Sequence, residues 1–229
     1  MASVVDRLDG TAATPAGPLG VQEVVGAPAP ALLALADEVA ADLVVVGRRG
    51  AGGFEALRLG STAHQVAEHA IRPVAVVPAT SARSAGGWPF GTVAVGVDGS
   101  AVAAGALAWA AAVAARAGAA VVVVHALELA PAFAAPGPGD AYEEARAGIT
   151  AAVDGWCAPL REAGVAHSTV VEEGGPAGVL LDAVRSHEAD LLVVGRRPPG
   201  SFPGMAMGSA AHRALGFAPC PTVVVPAAG

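Results

Sequence analysis

The chain contains an internal duplication, and no other feature limits its possible folds as strongly. The segment Asp42–Arg49 (DLVVVGRR) recurs 148 positions later as Asp190–Arg197 (DLLVVGRR). The same offset pairs Gly60-Ser61 with Gly208-Ser209, and the match needs no gap over about fifty residues. Because self-similarity at a fixed offset indicates a repeated structural unit, we expect two copies of one domain plan.

The first copy lacks the beginning of the repeated unit, because Met1 aligns with Ile149 of the second copy. We therefore expect residues 1–80 to form only the C-terminal part of a domain. Residues 81–90, rich in Ala, Ser, Gly and Pro, are expected to form a linker. Residues 91–229 are expected to form the complete domain.

Three explanations for the incomplete first copy stay open. Its sheet contracts, a partner chain fills the gap, or the true start codon lies upstream of Met1. We favour the upstream start codon, and an in-frame stop codon just before Met1 would contradict it. An open edge of apolar strand would otherwise invite aggregation.

The complete copy alternates strands with helices, which predicts a doubly wound α/β fold with a parallel sheet and right-handed crossovers. Ser100 is expected to cap the first helix and Ser209 the last one. In the first copy, Val21–Gly26 and Leu43–Gly47 are expected to be strands. For the second copy, the pattern predicts strands at 92–97, 120–126, 167–172, 190–195 and 222–226, and helices at 101–117, 140–163 and 177–187.

The composition excludes several classes of function. The chain is 54% hydrophobic and 14% charged with a net charge of -7, so a nucleic-acid partner, which requires a basic face, is not expected. The most apolar stretch, Ala101–Ala115, is shorter than the roughly 20 residues that cross a bilayer, so no membrane span is expected. The two cysteines, Cys157 and Cys220, have no metal-type spacing. We expect a cytoplasmic protein.

A glycine motif follows the repeated strand. In the first copy, Gly47-x-x-Gly50 is followed after nine residues by Gly60-Ser61. This spacing resembles the phosphate loop of the universal stress protein family. The opening Val95–Ser100 (VGVDGS) and the closing Pro221–Pro226 (PTVVVP) are similar to the first and last strands of that family. The resemblance covers nearly the whole chain.

The resemblance implies a sheet of order 3-2-1-4-5 and binding of ATP, with Mg²⁺ as a possible companion, in a regulatory role in the stress response. It also implies that closing strands pair, in a homodimer or in a pseudo-dimer within one chain. Glycines and the N–H groups at a helix N-terminus suit a phosphate, which favours this interpretation. The candidate nucleotide-binding residues in the second copy are Asp98, Gly99, Ser100, Ala126, Gly195, Arg196, Gly208 and Ser209.

Neither copy has the full motif. The first copy has the loop glycines Gly47, Gly50 and Gly60 with Ser61, but no aspartate equivalent to Asp98, so we regard this loop as degenerate. The second copy has Pro198 where the second loop glycine belongs, and proline has no N–H to donate. The alternative is therefore an interaction or dimerisation module that keeps the fold without a nucleotide.

Catalysis is not expected, because the sequence has no nucleophile–base pair, paired acid or metal cluster. His64 and His212 lie a turn into short helices and are expected to pack or to contact water. His125 is expected at a strand end or in the core.

Overall fold

The computed structural model describes residues 20–50, 58–79, 91–127, 139–196 and 207–227. In these ranges the helices are α1 (Pro28–Glu38), α2 (Ser61–His69), α3 (Ala101–Ala117), α4 (Gly139–Trp156), α5 (Ala158–Glu162), α6 (Pro176–Ser186) and α7 (Ser209–Phe217). The strands are β1 (Val44–Gly47), β2 (Val74–Val77), β3 (Thr92–Gly96), β4 (Ala120–Leu127), β5 (His167–Glu173), β6 (Leu191–Gly195) and β7 (Thr222–Val225).

All these strands form one sheet in the order β1-β2-β7-β6-β3-β4-β5. The second copy contributes β5-β4-β3-β6-β7, which is the expected 3-2-1-4-5 order, and its neighbouring strands are parallel. The full sheet differs from that order because two strands of the first copy extend it beyond β7. The predicted α/β fold class is confirmed.

The two copies join through their closing strands. β2 pairs antiparallel with β7, with Val74 opposite Val224 and Val76 opposite Thr222. This is the one antiparallel pairing among the strands that the structure describes. The hydrogen-bonded sheet therefore runs without a break from one copy into the other.

The predicted strand at Val21–Gly26 is wrong. This segment has no strand structure, and Val25 is fully exposed while Val21 is 60% exposed. In the second copy the corresponding strand, β5, pairs with β4. The first copy has no counterpart of β4 in the described residues, so the segment has no neighbour to supply ladder hydrogen bonds.

The core lies on both faces of the sheet. On one face, Val66 and Val74 of the first copy pack in the same cluster as Val194 and Leu215 of the second. On the other face, residues of α3, α4 and α5 cover the sheet of the second copy, and Ala75 of the first copy joins that cluster. Helices on both faces of a mostly parallel sheet define the doubly wound architecture.

Two local predictions need correction. The single helix expected at 140–163 is two helices, α4 and α5, which meet at Cys157 just before Pro159. Ser209 is the first residue of α7 rather than its cap, because Gly208 occupies the N-cap position. Ser100 does cap α3, since its hydroxyl accepts a hydrogen bond from the Ala103 N–H at 3.2 Å.

Candidate functional site

A cavity of about 390 Å³ opens at the carboxyl ends of β3 and β6. This volume lies within the range of small-molecule sites. β4 and β6 lie on opposite sides of β3, so the cavity sits where the strand order reverses, the usual place for ligands in such sheets. Six of the eight residues predicted for the site line it: Asp98, Ser100, Ala126, Gly195, Gly208 and Ser209.

Asp98 comes directly after β3 and is held in a turn at the cavity. Its Oδ1 accepts a hydrogen bond from the Ser100 N–H at 3.0 Å, which is an Asx turn. Gly99 between them has φ of 78°, a left-handed conformation that glycine adopts without strain. A Cβ on Gly99 would also lie 2.7 Å from the Trp156 ring. The turn thus fixes the Asp98 backbone and leaves its side chain exposed.

Gly195, at the end of β6, lets helix α3 approach the sheet. A Cβ there would lie 2.7 Å from Val102 Cγ1 and 3.1 Å from the Val102 carbonyl carbon. Backbone atoms cannot move aside as a side chain can, so this position requires glycine. The close approach brings the first turn of α3 beside the strand end and closes one wall of the cavity.

Helix α7 directs its N-terminus at the cavity. Gly208 and Ser209 line the wall, and Gly208 accepts the first intrahelical bond, from the His212 N–H at 3.0 Å. The free N–H groups of a first helical turn and the helix dipole favour an anion. No acidic residue lies in the first turn of α7.

Three further side chains belong to the wall of the cavity. His125 lines it, and its Nδ1 lies 2.9 Å from the Val97 carbonyl oxygen, while its ring meets Trp156 edge-on. Pro176 and Leu180 of α6 add apolar surface. The sequence predicts His125 at a strand end or in the core and does not assign it to the site. Its register opposite Val171 on β5 becomes visible only in the assembled sheet.

Two predicted site residues, Gly99 and Arg196, do not line this cavity. Gly99 lines a smaller apolar cavity beside Trp156. The Arg196 guanidinium donates to the carbonyl oxygens of Glu68 and Ala70 at the end of α2, the latter at 2.7 Å. Its backbone N–H donates to the Val225 carbonyl at 2.8 Å. The guanidinium is used between the copies and the backbone N–H within the second copy, which argues against the predicted role at a phosphate.

The first copy mirrors this contact. The Arg48 guanidinium donates to the Ala218 carbonyl at the end of α7, and Arg48 and Ala218 are the repeat counterparts of Arg196 and Ala70. Burial lowers the pKa of both arginines, because it disfavours the charged form. Each copy thus places one arginine on the helix C-terminus of the other, where the dipole favours a cation.

The glycines of the first-copy loop do not form a comparable site. The Gly60 N–H donates to the Arg48 carbonyl at 2.8 Å, and Ser61 begins α2. In the described residues, no strand flanks the outer edge of β1, so Gly47 and Gly50 face no counterpart of Asp98. The predicted effect of Pro198 concerns a residue outside the described ranges.

Among the described residues that line the cavity, Asp98 is the one carboxylate. No group of three or more His, Cys, Asp or Glu suited to a metal occurs in the described ranges. In the same ranges, no helix is long and apolar enough to cross a membrane.

Proteins with similar sequences include several named universal stress protein. Universal stress protein Rv1996 of Mycobacterium tuberculosis is 30% identical over 208 residues, which cover 85% of this chain and 61% of that protein. Universal stress protein MT2698 of the same species is 33% identical over 214 residues, covering 91% and 69%. The chain thus spans about three fifths of the length of the first of these relatives.

A solved structure shares this fold, and a family model matches this sequence. The crystal structure of a universal stress protein from Archaeoglobus fulgidus matches with a TM-score of 0.58 at 22% identity, over 85% of this chain and 63% of that one. The model of the Universal stress protein family matches residues 10–78 and 89–226, which is most of the chain. The duplicated chain therefore belongs to the universal stress protein family.

Proposed function

We propose that this chain is a regulatory module of the stress response that binds an adenine nucleotide, ATP with Mg²⁺, in the second-copy cavity. The observation that carries the proposal is the convergence of Asp98, Gly195, Gly208 and Ser209 on one cavity at the switch point of the sheet. These residues are far apart in sequence, and the fold alone brings them together.

The cavity offers polar groups for the phosphates and the ribose of a nucleotide and apolar surface for its base. The N-terminus of α7 supplies N–H groups and a positive dipole for the phosphates. Asp98 supplies a carboxylate that accepts hydrogen bonds from ribose hydroxyls, and Val97 and Leu180 supply apolar surface for the base. Because Asp98 is the one lining carboxylate in the described part of the chain, Mg²⁺ would arrive on the phosphates.

The second candidate is an interaction module that does not bind a nucleotide. The continuous sheet through β2 and β7 favours it, because this contact needs no ligand. A homodimer, or an intramolecular pseudo-dimer, formed through the closing strands fits this candidate. For either candidate we propose a location in the cytoplasm, which suits the two buried free cysteines.

Calorimetric titration with Mg-ATP separates these candidates. We expect about one site per chain and at least ~10-fold weaker binding in Ser209→Asp, because the new carboxylate would face the phosphates. An acidic residue in the first turn of a helix favours the helix itself, so the fold is retained.

The duplication supplies a matched control. Ser61 is the repeat counterpart of Ser209 and begins α2 as Ser209 begins α7. Ser61→Asp should leave ATP affinity unchanged, and Asp98→Ala should reduce it. The absence of binding to folded protein up to millimolar ATP would refute the nucleotide proposal and favour the interaction module.

A further inference from the structure

A second cavity, of about 410 Å³, lies at the junction of the two copies. Arg58, Leu59 and His64 line it from the first copy, and His212, Gly216 and Phe217 from the second. The imidazole rings of the two histidines meet edge-on, with centroids 5.2 Å apart. The histidines expected to pack therefore pack on each other, and they form part of this cavity's wall.

The wall of this cavity combines a cation with apolar surface. Arg58 is exposed and lies over the Phe217 ring at 5.4 Å from its centroid. Leu59 and the half-exposed Phe217 add apolar surface. The remaining lining residues, Ser61 and Gln65, are neutral, so no carboxylate lines this cavity among the residues that the structure describes.

The two copies differ at one position of the cavity wall. His64 pairs with Glu68 one turn later on α2, with Nδ1 3.3 Å from Oε2. His212 is the counterpart of His64, but Gly216 stands where α2 has Glu68. The second copy thus lacks both the bulk and the negative charge of that carboxylate at the cavity wall.

We propose that this junction cavity binds a small organic anion, with the acidic group on Arg58 and the histidines and an aromatic or aliphatic body against Leu59 and Phe217. Its volume and its few polar groups within an apolar wall suit such a ligand. Because both copies line the cavity, the ligand would contact both. This site is separate from the nucleotide cavity and does not depend on it.

The test uses the fluorescent aromatic sulfonate 8-anilinonaphthalene-1-sulfonate as the probe, and its neutral analogue N-phenyl-1-naphthylamine as the ligand control. We expect saturable binding of the sulfonate at one site. Restoring the carboxylate by Gly216→Glu should weaken that binding at least ~10-fold, since a negative charge would lie within a few ångströms of the sulfonate. The neutral analogue should lose much less affinity.

Gly216→Gln is the matched variant, because it adds nearly the same volume without the charge. A Cβ at Gly216 would lie 3.5 Å from Arg58 Cβ, an ordinary contact, so both variants should fold. Arg58→Gln alters an exposed residue and tests the same site without a change in α7. It should weaken sulfonate binding as well.

Ser209→Asp controls for probe bound at the nucleotide cavity and should leave sulfonate affinity unchanged. The proposal is overturned if Gly216→Glu and Gly216→Gln bind the sulfonate with equal affinity and Arg58→Gln binds it as tightly as the unmodified chain. Loss of binding in Ser209→Asp, or the absence of saturable binding to the folded chain, overturns it too.

Discussion

At the scale of single residues, Arg48 and Arg196 make polar contacts between the copies. Arg196 is 9% exposed and its guanidinium reaches the last carbonyls of α2. Helix ends leave such carbonyls without intrahelical partners, and Arg196 satisfies them. The sequence placed Arg196 among the candidate nucleotide-binding residues. The spacing gives no sign that this side chain points to the other copy, because that direction depends on the pairing of β2 with β7.

Removal of Arg196 should therefore destabilise the whole chain. We expect Arg196→Ala to lower the free energy of unfolding by about 2–3 kcal/mol, because buried carbonyls lose a charged donor. Arg185→Ala is the control, since its ion pair with Asp182 is largely exposed and is expected to contribute less than about 1 kcal/mol. Urea denaturation measures both variants, and equal effects would contradict the assigned role.

Cys220 gives a prediction about pH. Burial raises the pKa of its thiol to about 11 from 9.0, so the folded state keeps its proton at a pH where the unfolded chain loses it. The resulting stabilisation is complete below pH 9 and is lost as the pH rises towards 11. Linkage gives a loss of roughly 3 kcal/mol over that interval.

Urea denaturation at pH 8, 9, 10 and 11 tests this prediction, with Cys220→Ala as the comparison. The variant should show a smaller decrease in stability above pH 9 than the unmodified chain. Parallel pH profiles for the two proteins would contradict it.

At the scale of elements, two glycines in or beside α3 should respond in opposite ways. Gly195→Ala forces a Cβ against the Val102 backbone and should cost about 1–3 kcal/mol. Gly105→Ala, on the exposed side of α3 with nothing within 4 Å of the new Cβ, should stabilise by about 0.5–1 kcal/mol. Thermal unfolding measures both, and a neutral Gly195→Ala would contradict the close approach described here.

The sequence predicted some strands correctly and one wrongly. Continuous apolar runs predicted the buried strands of the second copy, because burial on both faces leaves a clear signal. The strand expected at Val21–Gly26 is absent, because no neighbouring strand is available there. Val45 of β1 is 60% exposed, whereas its counterpart Val193 is fully buried between β3 and β7. Local pattern cannot report whether a neighbour exists.

The residues of the proposed nucleotide site were partly predictable for a related reason. Asp98, Gly195 and Gly208 follow or precede recognisable elements, and topology brings such ends to one edge of the sheet. Pro176 and Leu180 enter the cavity only because α6 crosses that edge, and the sequence carries no mark of this. The junction cavity was invisible, since its two walls come from different copies.

At the scale of the whole molecule, the copies share one sheet and one core. Val66 and Val74 lie in a single cluster with Leu215 and Val224. Strand pairing and the arginine contacts also cross this boundary. Neither copy can unfold without exposing apolar surface of the other, so we expect the chain to unfold as one unit.

Scanning calorimetry tests this expectation. One transition, with equal calorimetric and van't Hoff enthalpies, is the predicted result. Two separated transitions, or a calorimetric enthalpy well above the van't Hoff value, would mean that the copies are independent.

We propose that an adenine nucleotide occupies the second-copy cavity. A crystal structure of the chain grown with Mg²⁺ and a non-hydrolysable ATP analogue tests this most directly. We predict density for one nucleotide at the carboxyl ends of β3 and β6, with its phosphates at Ser209 and its ribose near Asp98. An empty cavity there at saturating analogue, or a nucleotide bound only at the junction cavity, would contradict nucleotide binding in the second-copy cavity.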